Sequence, residues 1–315
     1  MQQDLNPFFG PEQTAAALPY DKLAQSVREV LLDPTVVVPS RLVQPLASGA
    51  SFFVMPAMDS RLAIAKLITF VAANPSRGLP AIQGDVVVFD AQNGRRLQIL
   101  HGPTVTARRT AAVSLLAAQT LAPARSGRLL IVGAGVQGRV HLEAFVQGLE
   151  VKEVLVASRS QASADALVAH ARSLGVRAER SDNPDAAMAD CQWVVSATSA
   201  QEVALKGIPR DDAFVCAVGA FKPSMVEWHP VVCRHMAQRG LVVVDSRDAD
   251  HEAGDLLQAG LKVSKFASLS DVINQEAANP ALQTAQRPVF FKSCGWAGWD
   301  LAAARCSLQN SSTNR

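Results

Sequence analysis

From Arg128 onward the sequence alternates short apolar runs with stretches of helical pattern, and this alternation limits the fold more narrowly than any other feature. The apolar runs cover residues 129–132, 154–157, 193–196, 214–218 and 241–245. Strands of a parallel sheet that is covered on both faces have such continuous apolar sequences, because neither face meets water. Their alternation with helices predicts an α/β fold with a doubly wound parallel sheet.

A glycine-rich loop joins the first apolar run to the next helical stretch. It reads Gly-Ala-Gly-Val-Gln-Gly at positions 133–138 and opens a helix that extends to about Val146. This context fits the dinucleotide fingerprint of Rossmann domains, whose glycines allow a tight turn, close approach of the pyrophosphate and close helix packing. The helix N-terminus adds free N–H groups for the phosphates. A glycine turn without a ligand is the alternative. We predict a Rossmann cofactor site that includes Gly133, Gly135, Val136, Gln137 and Gly138.

The residues after the second apolar run indicate which dinucleotide binds. NAD-specific sites place an Asp or Glu about 20 residues beyond the glycines, whereas this chain has Ser158, Arg159 and Ser160 there. A guanidinium and hydroxyls can hold a 2′-phosphate by charge-assisted hydrogen bonds. We therefore predict NADPH, with NADH as the second choice, although an exposed arginine without a ligand would look the same. Thr198, after the run 193–196, is expected near the nicotinamide, and Thr110 completes the predicted cofactor contacts.

The first third of the chain has a different composition and predicts a smaller α+β domain. Residues 14–32 have helical spacing, the β-prone runs 35–38, 51–55 and 63–70 follow, and residues 85–90 and 95–100 flank a hairpin loop with Asn93-Gly94. A long helix is expected over 104–121, before Pro123 and Gly127 break the chain. We predict a substrate-binding and dimerisation domain over 1–122, completed by about 289–315 with a helix at 300–306, and the Rossmann domain over 123–288.

Composition excludes several classes of function. The 315 residues carry 30 basic and 28 acidic side chains with no basic run, which argues against a nucleic-acid surface. The five cysteines form no C-x-x-C pair and the six histidines form no H-E-x-x-H motif, so no metal site is expected. No apolar run reaches the roughly 18 residues of a membrane span, and the first residues do not resemble a signal peptide. A cytoplasmic protein is therefore expected.

Three basic residues in apolar surroundings are candidate substrate anchors: Arg41, Lys66 and Arg109. Lysine and arginine can hold a substrate carboxylate, and a bidentate arginine also fixes its orientation. Each of the three, taken alone, is better explained as a surface or structural ion-pair residue.

Several separate sequence segments resemble the ornithine cyclodeaminase/mu-crystallin family. They include Met-Pro-Ala at 55–57, Gly-Leu-Pro at 78–80, Thr-Ala-Arg-Arg-Thr-Ala-Ala at 106–112, the glycine loop, Val-Val-Asp-Ser-Arg at 243–247 and Phe-Lys-Ser-Cys-Gly at 291–295. The resemblance runs from about residue 41 to 301. It implies a homodimer built by the N-terminal domain and an active site between the two domains. It also implies that Arg41, Lys66 and Arg109 contact the substrate carboxylate.

Two departures from the family pattern indicate the reaction. Cyclodeaminases carry a catalytic Asp where this chain has Phe221, and a second family acid is replaced by Phe53. Phenylalanine cannot accept a proton, so two aromatic side chains are expected to shape an apolar substrate pocket instead. The chain is therefore similar to the reductase branch of the family. That branch reduces Δ1-pyrroline-2-carboxylate to L-proline or Δ1-piperideine-2-carboxylate to L-pipecolate.

The resemblance implies NAD(P)H-dependent hydride transfer to the C=N carbon of a small cyclic imino acid. Lys66 is then the candidate catalytic residue, because a protonated imine is the better hydride acceptor. Ornithine cyclodeaminase and an amino-acid dehydrogenase of the alanine type stay open as alternatives. A non-catalytic NADPH-dependent ligand-binding protein is the alternative from another class.

Overall fold

The computed structural model describes residues 8–47, 49–199, 201–278 and 287–313. The first part of the described chain contains β1 (Phe8–Phe9), α1 (Pro11–Ala17), α2 (Tyr20–Leu32), β2 (Leu42–Pro45), β3 (Ser51–Met58), β4 (Leu62–Phe70), β5 (Ile82–Asp90), β6 (Arg96–His101) and α3 (Gly102–Leu121). The second part contains β7 (Ser126–Val132), α4 (Val136–Gly148), β8 (Glu150–Ala157), α5 (Gln161–Ser173), β9 (Arg177–Arg180), α6 (Pro184–Ala187), β10 (Trp193–Ser196), β11 (Phe214–Ala217), α7 (Pro230–Arg239), β12 (Leu241–Val244), α8 (Ala249–Glu252), α9 (Gly254–Gln258), β13 (Ala267–Ser268), α10 (Leu269–Ala278), β14 (Val289–Lys292) and α11 (Ala297–Thr313).

The chain forms two compact units. Unit 1 comprises residues 1–109 and 297–315, and unit 2 comprises residues 110–296. The sequence predicted domain boundaries at 122/123 and near 289, whereas the two units divide after residues 109 and 296. The first difference arises because α3 is an unbroken helix, and the Pro and Gly that mark a boundary in the sequence come only after it. The second arises because β14 pairs with β11 and β12 of unit 2.

Unit 2 is a doubly wound α/β domain, as the sequence predicts. Its eight strands are all parallel in the order β13-β12-β14-β11-β10-β7-β8-β9. The four residues of β10, of β11 and of β14 are all buried, which is why β10 and β11 have almost entirely apolar sequences. From β7 the chain continues to β8 on one side and later to β10 on the other. This change of direction opens a crevice at the carboxyl ends of β7 and β10, where open α/β sheets bind ligands.

Unit 1 contains a six-stranded sheet in the order β1-β6-β5-β4-β3-β2, antiparallel except for the β1–β6 pair. Along β4, Leu62, Ile64, Lys66 and Ile68 are buried and the residues between them are not. This alternation is typical of a sheet with one covered face. Helix α11 packs against β3 and β4. The predicted hairpin is confirmed as β5 and β6.

Two local predictions in unit 1 are wrong. Residues 14–32 form two helices, because Pro19 lacks the N–H that a continuous helix needs and follows the end of α1. Residues 35–38 form no strand but a single bridge between Val37 and Met58. There the Asp33 carboxylate accepts hydrogen bonds from the backbone N–H and hydroxyl of Thr35, so the backbone turns instead of extending.

Candidate functional site

A cleft of about 540 Å³ lies at the carboxyl ends of β7, β8 and β10 in unit 2. The residues that line it come from the glycine loop and from the loops after β8, β9 and β10: Val132, Gly133, Ala134, Gly135, Ala157, Ser158, Arg159, Gln161, Ser181, Asp182, Pro184, Ala197, Thr198, Ser199, Gln201, Glu202, Val203 and Ala204. The predicted residues Gly133, Gly135, Ser158, Arg159 and Thr198 thus lie together. Val136, Gln137 and Gly138 continue the same loop into α4.

The glycines of this loop satisfy three different requirements. Gly133 has φ +109°, and a Cβ there would lie 2.4 Å from the carbonyl oxygen of Ala197. A Cβ on Gly138 would lie 1.8 Å from the carbonyl oxygen of Gly133, so only glycine lets α4 pack this close. A Cβ on Gly135 would meet no described atom within 4 Å. Gly133 and Gly138 therefore serve the turn and its packing, whereas Gly135 borders open space.

The start of α4 has the features of an anion site. Gly135 is its N-cap, so no side chain caps the N–H groups of the first turn. Val136 is an apolar residue with 69% of its surface exposed beside the glycines. The Oε1 atom of Gln137 is buried without a hydrogen-bond partner among the described residues. An uncapped helix end, an exposed valine and an unpaired polar atom fit a dinucleotide on this loop.

Arg159 stands at the rim of the cleft together with two acidic residues. Its Nη2 donates a hydrogen bond to Ser199 Oγ at 3.1 Å, and its Nη1 lies 3.7 Å from Glu202 Oε1. Asp182 also lines the cleft, because it follows the edge strand β9. The predicted contact Ser160 is not a lining residue; its Oγ accepts the backbone N–H of Ser163 and caps α5. This rim combines a group suited to a 2′-phosphate with carboxylates suited to ribose hydroxyls.

A buried glutamate fixes the loops after β10 and β11. Glu227 accepts hydrogen bonds from Ser196 Oγ at 3.0 Å, the Thr198 N–H at 2.7 Å and the Gly219 N–H at 2.8 Å. Burial raises the pKa of this carboxyl. Glu227 was not predicted from the sequence, because no pattern connects it to partners 31, 29 and 8 residues away. The carboxylate determines the backbone position of Thr198, the predicted contact at the nicotinamide end.

Two predicted residues of unit 2 lie outside the lining of the cleft. Thr110 is a residue of α3, and its carbonyl oxygen accepts a hydrogen bond from Ser114 Oγ at 3.0 Å. Ser114 Oγ also lies 2.9 Å from His141 Nε2, which joins α3 to α4. Phe221 is half-buried in the loop after β11. Neither residue is among those that line the cleft.

Unit 1 contains a buried cluster of charged side chains. Lys66 Nζ on β4 lies 3.2 and 3.4 Å from the two carboxylate oxygens of Asp300, at the start of α11. Arg109 Nε on α3 lies 3.5 Å from Asp300 Oδ1. Lys66 is 1% exposed and Asp300 is fully buried. Sequence reasoning predicted Lys66 and Arg109 but missed Asp300, which is 234 residues from Lys66.

The cluster carries an excess of positive charge. Burial lowers the pKa of Lys66 to about 8; the Asp300 carboxylate opposes this, and the charges of Arg109 and Arg41 add to it. Arg41, immediately before β2, is therefore close enough to act on the amine. The buried Nε of Arg109 has no hydrogen-bond acceptor among the described residues. Such a site can accept a small anion, because a carboxylate would accept a hydrogen bond from the Arg109 Nε and balance the charge.

Phe53 shares the sheet face of Lys66. It lies opposite Ile68 in the β3–β4 ladder, and Lys66 lies opposite Met55, two residues further along. Cross-strand partners point to the same face, so Phe53 and Lys66 are diagonal neighbours. The structure thus brings Arg41, Phe53, Lys66 and Arg109 into one region of unit 1.

Neither a metal site nor a membrane-spanning helix is found among the described residues. No three His, Cys, Asp or Glu side chains in that part of the chain are grouped so that they could hold a metal ion. None of its helices combines the length and the apolar character needed to cross a membrane.

The amino-acid sequence has close relatives. Residues 22–314 match the model of the ornithine cyclodeaminase/mu-crystallin family. The chain is 35% identical over 302 residues to Delta(1)-pyrroline-2-carboxylate reductase 1 of Burkholderia multivorans, covering 95% of this chain and 94% of the relative. It is 36% identical over the same length and coverage to the Delta(1)-pyrroline-2-carboxylate/Delta(1)-piperideine-2-carboxylate reductase of Azospirillum brasilense.

The fold is also similar to solved structures. The Delta(1)-pyrroline-2-carboxylate reductase of Thermococcus litoralis, in complex with NADH and L-proline, superimposes with a TM-score of 0.87. The match covers 98% of both chains at 22% sequence identity. At this identity the likeness establishes a shared fold.

Proposed function

The chain belongs to the ornithine cyclodeaminase/mu-crystallin family, and from this premise we propose that it is an NAD(P)H-dependent reductase of cyclic imino acids. The substrates are Δ1-pyrroline-2-carboxylate, Δ1-piperideine-2-carboxylate, or both, and the products are L-proline and L-pipecolate. The two bacterial relatives are named for these substrates and match almost the whole length of the chain.

The buried cation cluster of unit 1 carries the proposal. A cyclic imino acid is small and has a carboxylate beside its C=N bond. We assign Arg41 and Arg109 to that carboxylate, because the buried Arg109 Nε forms an ion pair with Asp300 but has no hydrogen-bond acceptor among the described residues. A carboxylate held by arginine has a fixed orientation, which is the main contribution that positioning makes to such a reaction.

Lys66 is the proposed proton donor to the imine nitrogen. With a pKa of about 8, its amine is mostly protonated at neutral pH and loses its proton more readily than an ordinary lysine. The same amine in water would hold its proton too tightly to be an efficient acid. Phe53, on the same sheet face, is the proposed apolar contact of the ring.

Unit 2 is the proposed cofactor domain. Gly133, Gly135 and the start of α4 would hold the pyrophosphate of a nicotinamide dinucleotide, which supplies the hydride when bound. We assign Arg159 and Ser158 to the 2′-phosphate of NADPH. Glu202 and Asp182 at the same rim support use of NADH as well.

Phe221 separates the proposed reaction from ornithine cyclodeamination. That reaction needs a group that accepts a proton from the substrate amine, and Phe221 occupies the position of the family's catalytic Asp. We therefore leave cyclodeamination out of the proposed activity.

The proposal includes a homodimer formed through unit 1 and a cytoplasmic location. The face of β4 opposite Lys66 is partly exposed, and Leu67 on it is 38% exposed. The edge strand β2 presents Leu42 and Val43, which are 57% and 44% exposed. An apolar sheet face beside an apolar edge strand is typical of a surface that a second copy covers.

The test measures oxidation of NADPH and of NADH with each of the two cyclic imines, and ammonia release from L-ornithine in a parallel sample. We expect oxidation of the nicotinamide with at least one imine, formation of the cyclic amino acid and no ammonia. Ammonia and proline from ornithine, or no oxidation with either imine, would refute the proposal.

A further inference from the structure

Asp300 is the carboxylate that connects the two proposed substrate-binding cations Lys66 and Arg109. Its Oδ1 atom lies 3.2 Å from Lys66 Nζ and 3.5 Å from Arg109 Nε, and its Oδ2 atom lies 3.4 Å from Lys66 Nζ. The side chains of Lys66 and Asp300 are almost completely excluded from solvent. A single carboxylate therefore binds the lysine and is shared with Arg109.

The other groups around Lys66 do not favour its charged form. Its cross-strand neighbours are Met55 on β3 and Val86 on β5, which offer no charge. Arg109 from α3 and Arg41 from the segment before β2 both repel the ammonium. Burial acts in the same direction, because it removes water from the charge. Among these groups, Asp300 from α11 is the one that stabilises the charged amine.

We propose that Asp300 is a positioning residue that holds Lys66 in its charged form and directs it, so that Lys66 delivers the proton in the reaction. This inference rests on the proposed reductase function. In that reaction the imine carbon gains a hydride, the imine nitrogen gains the proton of Lys66, and the nicotinamide is oxidised. Lys66 is left neutral and regains a proton from solvent. Asp300 does not touch the substrate; it acts through Lys66 and Arg109.

Asp300→Asn is the informative variant, because it keeps the shape of the side chain and removes its charge. An opposite charge within about 4–6 Å raises the pKa of an amine by roughly 1–3 units. Without that charge we expect the alkaline limb of the pH profile of kcat/KM, near pH 8 in the wild type, to move at least about one unit lower. Asp300→Glu retains the charge and is expected to leave the limb closer to its original position.

Asp59→Asn is the matched control. Asp59 is also a buried carboxylate of unit 1, and it accepts a hydrogen bond from Arg305 Nε at 2.7 Å. This substitution removes a buried ion pair without touching Lys66. It is expected to lower stability and to leave the pH profile where it was.

A second measurement follows Lys66 without catalysis. Protein labelled with ¹³C at lysine Cε is titrated by NMR, and the Lys66 signal is identified by its absence from Lys66→Met. We expect this signal to titrate near pH 8 in the wild type and at lower pH in Asp300→Asn. An unchanged titration in Asp300→Asn overturns the inference. If the wild type fails to reduce the imines, the proposed function is refuted, while the titration still decides whether Asp300 controls the charge of Lys66.

Discussion

Replacing Lys66 by Met tests whether Lys66 anchors the substrate carboxylate or donates the proton. Methionine fills a similar volume on β4 and cannot donate a proton. If Lys66 only anchors the carboxylate, one charge-assisted hydrogen bond of about 1.5–3 kcal/mol is lost, so KM rises about 10- to 160-fold and kcat is unchanged. General acid catalysis contributes about 10²- to 10⁴-fold to turnover. We expect Lys66→Met to lower kcat at least about 100-fold.

The pH dependence gives the same prediction an independent check. The pKa of Lys66 is lowered to about 8, so the wild-type amine is protonated below that pH and neutral above it. The kcat/KM of the wild type is therefore expected to fall as the pH rises through 8, because it reflects the groups of the free enzyme, whereas the residual kcat/KM of Lys66→Met should not fall there. Steady-state kinetics with the cyclic imine, followed by nicotinamide absorbance from pH 6 to about 10, measures both parameters.

Lys22→Met serves as the matched control, because Lys22 is an exposed lysine of α2 in the same unit. It should keep the wild-type kcat, KM and pH profile. A raised KM with unchanged kcat in Lys66→Met would refute the proton transfer and leave Lys66 as an anchor.

Four further predictions concern the rest of the molecule. Gly138→Ala should lower the melting temperature and abolish dinucleotide binding, because its Cβ would lie 1.8 Å from a backbone oxygen. Gly135→Ala should leave the melting temperature unchanged and weaken dinucleotide binding, because its Cβ would enter open space beside the loop. Calorimetry measures both quantities. Arg159→Ala should raise the Kd of NADPH about tenfold and change that of NADH little, by fluorescence titration. Burial lowers the pKa of His141 from 6.5 to about 4, so the unfolded chain takes up a proton at a higher pH than the folded protein does. The free energy of unfolding should therefore fall by about 3 kcal/mol as the pH is lowered from 6.5 to 4, and this loss should be absent when His141→Leu is unfolded in urea. Leu67→Glu should convert the proposed dimer to monomers in light scattering, with Kd values for the dinucleotide unchanged.

The sequence revealed most of the strands that are buried on both faces, but β14 was missed, because residues from about 289 onward were assigned to the other domain. β7, β8, β10, β11 and β12 stand out because each contains at least three consecutive apolar residues. Strand β9 was missed because it is a four-residue edge strand with the sequence Arg-Ala-Glu-Arg, which has no apolar pattern. Asp182, which follows it into the cleft, was missed for the same reason.

Residues of the candidate site could be predicted where the residues that act together are close in the sequence. The glycine loop could be recognised because strand, turn and helix follow one another within twenty residues or so. Asp300 could not be recognised, because its role depends on contacts with Lys66 and Arg109 that form only when the chain folds. Glu227 likewise binds Ser196, Thr198 and Gly219, which no sequence pattern connects to it.

The stretch 289–313 completes both units, and this has a consequence for biosynthesis. Strand β14 fills the position between β12 and β11, so a growing chain that has not reached residue 289 has two unpaired strand edges in the middle of its largest sheet. Helix α11 covers β3 and β4, so the sheet of unit 1 is also bare until that helix emerges. Unpaired edges and bare apolar faces promote association between chains. Both units therefore stay incomplete until residues 289–313 have been synthesised, and we expect molecular chaperones to bind the growing chain until then.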